Sequence, residues 1–489
     1  MEDPKGLKPP LQPSKSPKDQ EPVDADLERL RKWQEERIQR RLRGEYESAV
    51  IHLSEVINNN LESPLTISSV RVEGTPNTRK SFLGFVINPT LSSFSAGPQN
   101  FESVLHTTRE ISHRLRETDI YKTLQVRIEQ ARDALAQDGS VDVVFKAQER
   151  GRFYLNTSTE LGNAEGNASA TARIRNVFGG AETLEANLSM GTKTRRSFRA
   201  SLEAPISPDL KTRGELTLYG LERDNTGFAS SYETLRGLKA AVRNGTPRWG
   251  MHEVTYEAIL RHVGGFTPTA SIGIRECAGQ TFKSAVSHSW TLDTRDDRIT
   301  ATRGHYTKIL NELAGFGGDA AFYKSEAEAQ ISRPIFPGST LAFAARTGFL
   351  WSLGKPVLFS DRFQAGGPIS VRMFKANGLG PRDGSDSLGG DMYWSAGISL
   401  ISDIPRKPHW PVKTHLFVNA GRLDNIDKSR SIADNITDAL RRPSVSAGLG
   451  LIYRFDPVRV EVNFGVPLVA NRSDGTRKGL QVGMGLEFL

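Results

Sequence analysis

Over residues 151–489, apolar and polar side chains alternate in one strand-length segment after another. Ala168, Ala170, Ala172 and Ile174 alternate with Ser169, Thr171, Arg173 and Arg175, and Leu184, Ala186, Leu188 and Met190 with Glu185, Asn187 and Ser189. Near the end, Val458, Val460, Val462, Phe464 and Val466 are separated by Arg459, Glu461, Asn463 and Gly465, and the sequence stops on KGLQVGMGLEFL. A period of two sends successive side chains to opposite sides of a β-strand, giving each strand one apolar and one polar face. Turn signals such as FGG at 178–180, SPD at 207–209 and RNG at 243–245 separate the runs. The spacing predicts sixteen strands, from 152–162, 166–177 and 181–193 through to 445–455, 457–467 and 479–489. At about 21 residues per strand with its turn, they suit membrane strands of about 9–11 residues.

Two architectures accommodate such a pattern. A soluble sandwich or small barrel turns the apolar face inward, whereas a wide membrane barrel turns it to lipid and keeps polar groups in a wet lumen. The polar faces carry Arg, Glu, Asn and Ser over many consecutive strands, which favours the second. No blade-like period of four strands is seen. The expected fold is mainly β, a 16-stranded antiparallel transmembrane β-barrel over 151–489.

Upstream the periodicity changes. Residues 1–45 read as a disordered, Pro-rich start followed by a charged helix at 25–44 (ADLERLRKWQEERIQRRLRG), either solvated or used for docking. Residues 46–150 mix strand-like LTISSVRVEG and VDVVFKAQER with helical NFESVLHTTREISHRLRETDIY, whose Phe101, Leu105, Ile111 and Leu115 recur at helical spacing. This reads as one small α+β domain. His106 and His113 lie on that helix without partners at metal-ligand spacing.

Composition narrows the function classes. Charged residues make up 25% of the chain, the mean hydropathy is -0.42, and no apolar run approaches the roughly 18–20 residues of a spanning helix. That excludes helical insertion and leaves a barrel untouched. The single cysteine, Cys277, cannot form an internal disulfide and reads as an inert thiol. The net charge of +8 is spread among acids, so a nucleic-acid partner is not expected. Residues 1–20 hold no apolar core of a secretory signal, and acids interrupt the basic residues that a matrix presequence would need. No nucleophile triad, Walker loop or zinc spacing occurs, so neither an enzyme nor a cofactor or metal is expected. The carboxylates of DTRDD at 293–297 read as a lumenal or rim charge network.

One connection is too long for a hairpin. Residues 353–389 contain GGPISVRMFKANGLGPRD, with a strand-like core of Ile369, Ser370, Val371, Arg372, Met373 and Phe374. GGPISVRMF followed by GLGPR resembles the conserved loop of the outer-membrane-protein assembly superfamily, the POTRA-plus-barrel insertases, whose usual core is Val/Ile-Arg-Gly-Phe. DTRDD with Arg303-Gly304, FVNAG at 417–421 and the terminal strand agree, and LGGDMYWSAGISL at 388–400 looks most like the mitochondrial branch. The resemblance covers roughly 60–489. It implies that 46–150 is a single POTRA domain in the intermembrane space and that the barrel lies in the mitochondrial outer membrane. It also implies that the 353–389 loop folds into the lumen.

Alternation places Asn419 and Ser399 on the inner wall, where a lumenal Arg372 can reach them. Relatives typically carry acids at those two positions. Here they are neutral, so hydrogen bonds without an ion pair are expected, and Met373 stands where Gly is usual. The resemblance further implies a lateral gate between the first strand, Phe153, Tyr154, Leu155, Asn156, Thr157, Ser158, Thr159, Glu160 and Leu161, and the last. Gln481, Gly483, Leu486 and Phe488 match the sorting signal of mitochondrial barrel precursors. The implied partners are unfolded β-barrel precursors, cytosol-facing peripheral subunits of the metaxin-like kind, a further barrel protein and membrane lipid. The competing reading is a polypeptide-conducting or solute channel.

Overall fold

The computed structural model describes residues 24–42, 44–97, 99–133, 139–162, 165–192, 194–246, 248–407, 410–455 and 458–485. The chain divides into two compact units. One comprises Met1–Glu73, Asn88–His113 and Leu124–Lys146, the other Gly74–Ile87, Arg114–Thr123 and Ala147–Leu489. Residues 1–23, expected to be disordered, lie outside the described residues.

The N-terminal elements are α1 (Asp24–Leu42), α2 (Glu45–Asn59), β1 (Thr66–Glu73), α3 (Lys80–Ser95), α4 (Phe101–Glu117), β2 (Tyr121–Gln130) and β3 (Ser140–Glu149). The three strands form one sheet in the order β1-β3-β2, with β1 parallel to β3. In the first unit Phe94, Val104, Ile111, Val143 and Phe145 are buried. Its sheet is pinned by Asp142, which accepts hydrogen bonds from Ser69 Oγ at 2.7 Å and Arg71 Nη2 at 2.8 Å. α4 follows the helical spacing read from the sequence. α2 and α3 do not stand out there, because α3 carries Pro89 in its interior and β-branched and aromatic residues that favour strands in isolation.

The second unit is dominated by a 16-stranded sheet. Its first half runs β4 (Phe153–Gly162), β5 (Glu165–Arg175), β6 (Thr183–Gly191), β7 (Thr194–Pro205), β8 (Arg213–Asp224), β9 (Tyr232–Thr246), β10 (Gly250–Gly264) and β11 (Gly279–Asp293). Single helical turns α5 (Thr226–Ala229) and α6 (Ile272–Arg275) sit in its loops. The second half runs β12 (Gly304–Gly318), β13 (Phe322–Phe336), β14 (Ser339–Ser352), β17 (Met392–Asp403), β18 (Val412–Asp424), β19 (Ser444–Phe455), β20 (Val458–Val469) and β21 (Gly479–Gly485). Between β14 and β17 lie the two-residue strands β15 (Arg382–Asp383) and β16 (Asp386–Ser387), which pair with each other, and α7 (Ile432–Arg441) lies between β18 and β19.

All ladders in the large sheet are antiparallel between chain neighbours, the β14–β17 step included. β21 and β4, the two ends of the strand order, lie side by side. No hydrogen-bonded ladder joins them among the described residues, whereas every other neighbouring pair has one. The sheet thus curves into a barrel with a single seam. Leu416, Val418, Leu480 and Val482 are exposed on its outer face while Phe417, Asn419 and Gln481 are buried inside, as the alternation requires. Among the described residues no helix is long and apolar enough to cross a membrane.

Candidate functional site

The 353–389 connection turns into the barrel, held first by apolar contacts. Phe363, Val371, Phe374 and Leu379 of the loop join Phe322, Leu350 and Leu423 of the wall in one buried cluster. Burial of each such side chain contributes about 1.5–3 kcal/mol. A buried ion pair from Arg261 on β10 to Asp361, at 2.8 Å, fixes the start of the loop.

The expected strand-like core of the loop is absent, which corrects the sequence reading. Residues 367–374 form tight turns, with Ser370 N donating to Gly367 O at 3.1 Å and Gly367 N to Val371 O at 3.2 Å. Gly366, Gly367 and Met373 all have positive φ (101°, 115° and 64°), incompatible with an extended run. Met373 therefore adopts at the usual Gly position the backbone conformation that Gly tolerates best.

The turn delivers Arg372 to the inner wall, where it is fully buried. Its Nη1 donates to Asn419 Oδ1 on β18 at 3.2 Å. Its Nε and Nη2 donate to Glu461 Oε2 and Oε1 on β20, at 2.9 and 3.1 Å. The expectation of docking without an ion pair is thus overturned, because the acid comes from a wall position two strands beyond Asn419. Glu461 is itself fully buried, paired also with Arg459, and accepts from Asn463 Nδ2 at 2.8 Å. The guanidinium stands over the Phe417 ring at 5.2 Å. Ser399 lies on the same inner face, with its Oγ 2.9 Å from His415 Nε2.

The terminal strand also takes part. Gln481 on β21 accepts from Met373 N and donates to Phe374 O, both at 2.9 Å. The β20–β21 connection adds backbone bonds: Lys375 N to Gly475 O at 2.8 Å, Gly475 N to Gly378 O at 2.7 Å and Arg477 N to Met373 O at 3.0 Å. Sequence reasoning missed Glu461, Arg459 and Asn463 as members of this site. Their signal was their shared inner face on β20, but nothing local told it which of many inner acids faces the loop.

At the opposite end, DTRDD leaves β11 and forms the 294–303 loop. Arg295 folds back on Asp293 in a two-pronged ion pair (2.9 Å each) and lies over Tyr306. Asp297 is paired with Arg454 at 2.6 Å and accepts from the N–H groups of Ile299 and Thr300 at 2.7 and 2.8 Å. Arg459 Nη1 reaches Ile299 O at 3.5 Å. Among the described residues no cluster of His, Cys, Asp or Glu could hold a metal.

Of the other sequence-predicted residues, Phe153, Tyr154, Leu155, Asn156, Thr157, Ser158 and Thr159 lie on β4, with Phe153 and Leu155 strongly exposed and Ser158 Oγ 2.8 Å from Ser169 Oγ on β5. Glu160 and Leu161 continue β4. Gly483 lies on β21, buried like Gln481. Leu486 and Phe488 lie outside the described residues.

A sixteen-stranded barrel whose inward loop is fastened by a buried arginine to its last strands belongs to the class of outer-membrane assembly barrels. An Omp85 superfamily domain matches residues 176–488, and the chain belongs to that superfamily, in the branch named for sorting and assembly machinery component 50. A SAM50-like protein of Schizosaccharomyces pombe is 36% identical, with 89% of this chain and 94% of that protein covered. The human sorting and assembly machinery component 50 homolog is 31% identical over 80% of this chain and 84% of its own. In fold, BamA from Haemophilus ducreyi lacking POTRA domains 1–3 superposes with a TM-score of 0.72 at 18% identity, over 86% of this chain and 84% of that one.

Proposed function

We propose that the edge of β4 receives a β-barrel precursor, whose last strand pairs there while the seam between β4 and β21 is open. The chain is a β-barrel insertase of the mitochondrial outer membrane, by its membership of the sorting and assembly machinery component 50 branch and its sixteen-stranded barrel. Its substrates are barrel precursors and it works within a complex of further subunits. The observation that carries the gate reading is the seam, the one neighbouring pair of barrel strands without a ladder among the described residues. An unpaired strand edge is a template for β-augmentation, and in lipid every unsatisfied backbone group is costly. An incoming strand gains those hydrogen bonds at β4, and later hairpins add until the new barrel closes. No covalent step is needed. The N-terminal α+β domain, over 46–150, faces the intermembrane space in this reading, and metaxin-like subunits bind the cytosolic side. A passive channel is disfavoured by the loop packed and ion-paired inside the lumen.

The test replaces Cys277 by Ser and introduces single cysteines at Tyr154, Asn156 and Ser158. Each should crosslink to the terminal strand of an arrested precursor, in a register shifting with position. Crosslinks confined to the 46–150 domain or to β11–β13 would overturn the gate.

A further inference from the structure

α7, the helix between β18 and β19, has no part in the site described above. Its C-terminal end is tied to the barrel wall by two side chains. Trp394 Nε1 donates to Ala439 O at 3.1 Å, and Arg422 Nη1 donates to Arg442 O at 2.7 Å. Trp394 and Arg422 are direct cross-strand partners on β17 and β18. Both share the parity of Ile398 and Val418, each about half exposed on the outer face, and are opposite in parity to the buried Ser399 and Phe417. The helix end is therefore laid against the outside of the barrel, at the rim where β17 begins and β18 ends.

The residues of α7 sort into three faces at helical spacing. Ala439 is buried and Asn435 is partly buried, which marks the side toward the protein. Ile432, Ile436 and Leu440, spaced by four, form an apolar stripe whose members are exposed by 47%, 43% and 56%. Asp434, Asp438 and Arg441 lie on the far side. Ser431 caps the first turn through Asp434 N at 3.1 Å, and Arg430 Nη1 pairs with Asp438 at 2.8 Å, so the helix is locally well specified.

We propose that α7 is an in-plane membrane anchor, its Ile432, Ile436 and Leu440 stripe seated in the headgroup–acyl boundary of the leaflet at this rim. The occupant is lipid because the stripe is continuous with the lipid-facing belt: the residues that tie the helix down, Trp394 and Arg422, stand in the same outer rows as Ile398 and Val418. Trp394 stands at the rim end of that outer row, the level at which tryptophan is enriched at membrane–water interfaces. The opposite face carries charge for the aqueous side, the division expected of an interfacial helix.

In the Cys277→Ser background, Leu440→Cys and, on the polar side, Arg441→Cys are each labelled with an environment-sensitive NBD dye. The full-length chain is then reconstituted alone in phosphatidylcholine vesicles. The Leu440→Cys probe should emit to the blue of the Arg441→Cys probe and be quenched about twofold or more by lipid brominated in the acyl chain, while aqueous iodide quenches the Arg441→Cys probe more strongly. If both probes give water-like emission and equal iodide quenching, the stripe is not in lipid and the proposal fails. Recovery of a blue shift only after a protein partner is added would assign the stripe to that partner and equally overturn it.

Discussion

Met373 holds a fully buried side chain on a backbone with φ of 64°. Left-handed backbone costs an ordinary residue about 1–2 kcal/mol, and truncating a buried Met to Ala costs about 2–5 kcal/mol. Burial is the larger effect, so Met373→Gly should destabilise the protein although it restores the usual family residue. Met373→Ala, which loses the packing and keeps the strain, should be worse by about 1 kcal/mol. Thermal unfolding in detergent distinguishes them, and a Gly variant more stable than the parent would show that strain dominates. Arg372 and Glu461 make a second residue-scale prediction. Glu461 is shared by Arg372 and Arg459. Removing it takes the shared carboxylate from two buried cations, whereas removing Arg372 leaves the Arg459–Glu461 pair intact. Glu461→Gln should therefore cost about 3–5 kcal/mol and more than Arg372→Ala, since breaking a buried pair leaves uncompensated charge. Both variants should expose the 353–389 loop to protease and lower precursor insertion; equal stabilities for the two would refute the shared-acid arrangement.

At the scale of elements, the 294–303 loop is held by carboxylates whose titration can be followed. Burial pushes the Asp296 and Asp297 carboxyls up, but hydrogen bonds outweigh it and keep both below the ordinary 3.8. For Asp296 these come from the Thr302 hydroxyl and the N–H groups of Arg303 and Thr302; for Asp297 from the N–H groups of Thr300 and Ile299, with Arg454 beside it. A depressed folded value means that the stabilisation is complete above the ordinary value and is lost as pH falls through the lowered one. Pepsin cleavage within 294–303, measured relative to a free peptide of the same sequence so that the protease's own pH response cancels, should thus rise as pH falls below the ordinary carboxylate value, and Asp297→Asn should raise it already at pH 4. A loop equally resistant across that range in both proteins would contradict the assignment. Elements were legible in the sequence to different degrees. β19 and β20 could be read residue by residue, because a wall between lipid and lumen enforces strict alternation. The run from Ile369 to Arg372 alternates as well and is not a strand, because Gly366 and Gly367 ahead of it and Met373 after it turn the backbone through positive φ. α3 gains its helical state from burial of Phe82, Val86, Ile87 and Phe94, tertiary packing that no local pattern records.

Across the whole molecule, the sixteen strands followed from period and number, whereas the gate between first and last strand was implied only by the resemblance and the site required knowing which inner rows face one another. Asn419 was readable as an inner-wall residue within reach of Arg372. Glu461 was not singled out, since in the aligned ladders it stands level with Lys413 of β18 and not with Asn419, and only the Arg372 guanidinium spans that offset. Gln481 was read as part of a terminal signal, yet the folded barrel also uses it to grip the backbone of Met373 and Phe374. That grip has a thermodynamic consequence. In the proposed gate, the strand that parts from β4 is also the one that holds the tip of the lumenal loop, which would make loop position and seam opening linked equilibria. Linkage is reciprocal: whatever retracts the loop lowers the free energy of parting the seam, and a precursor that holds the seam apart loosens the loop by the same factor. A substrate at the membrane edge and a tug on the lumenal loop would thus report on each other through one glutamine amide.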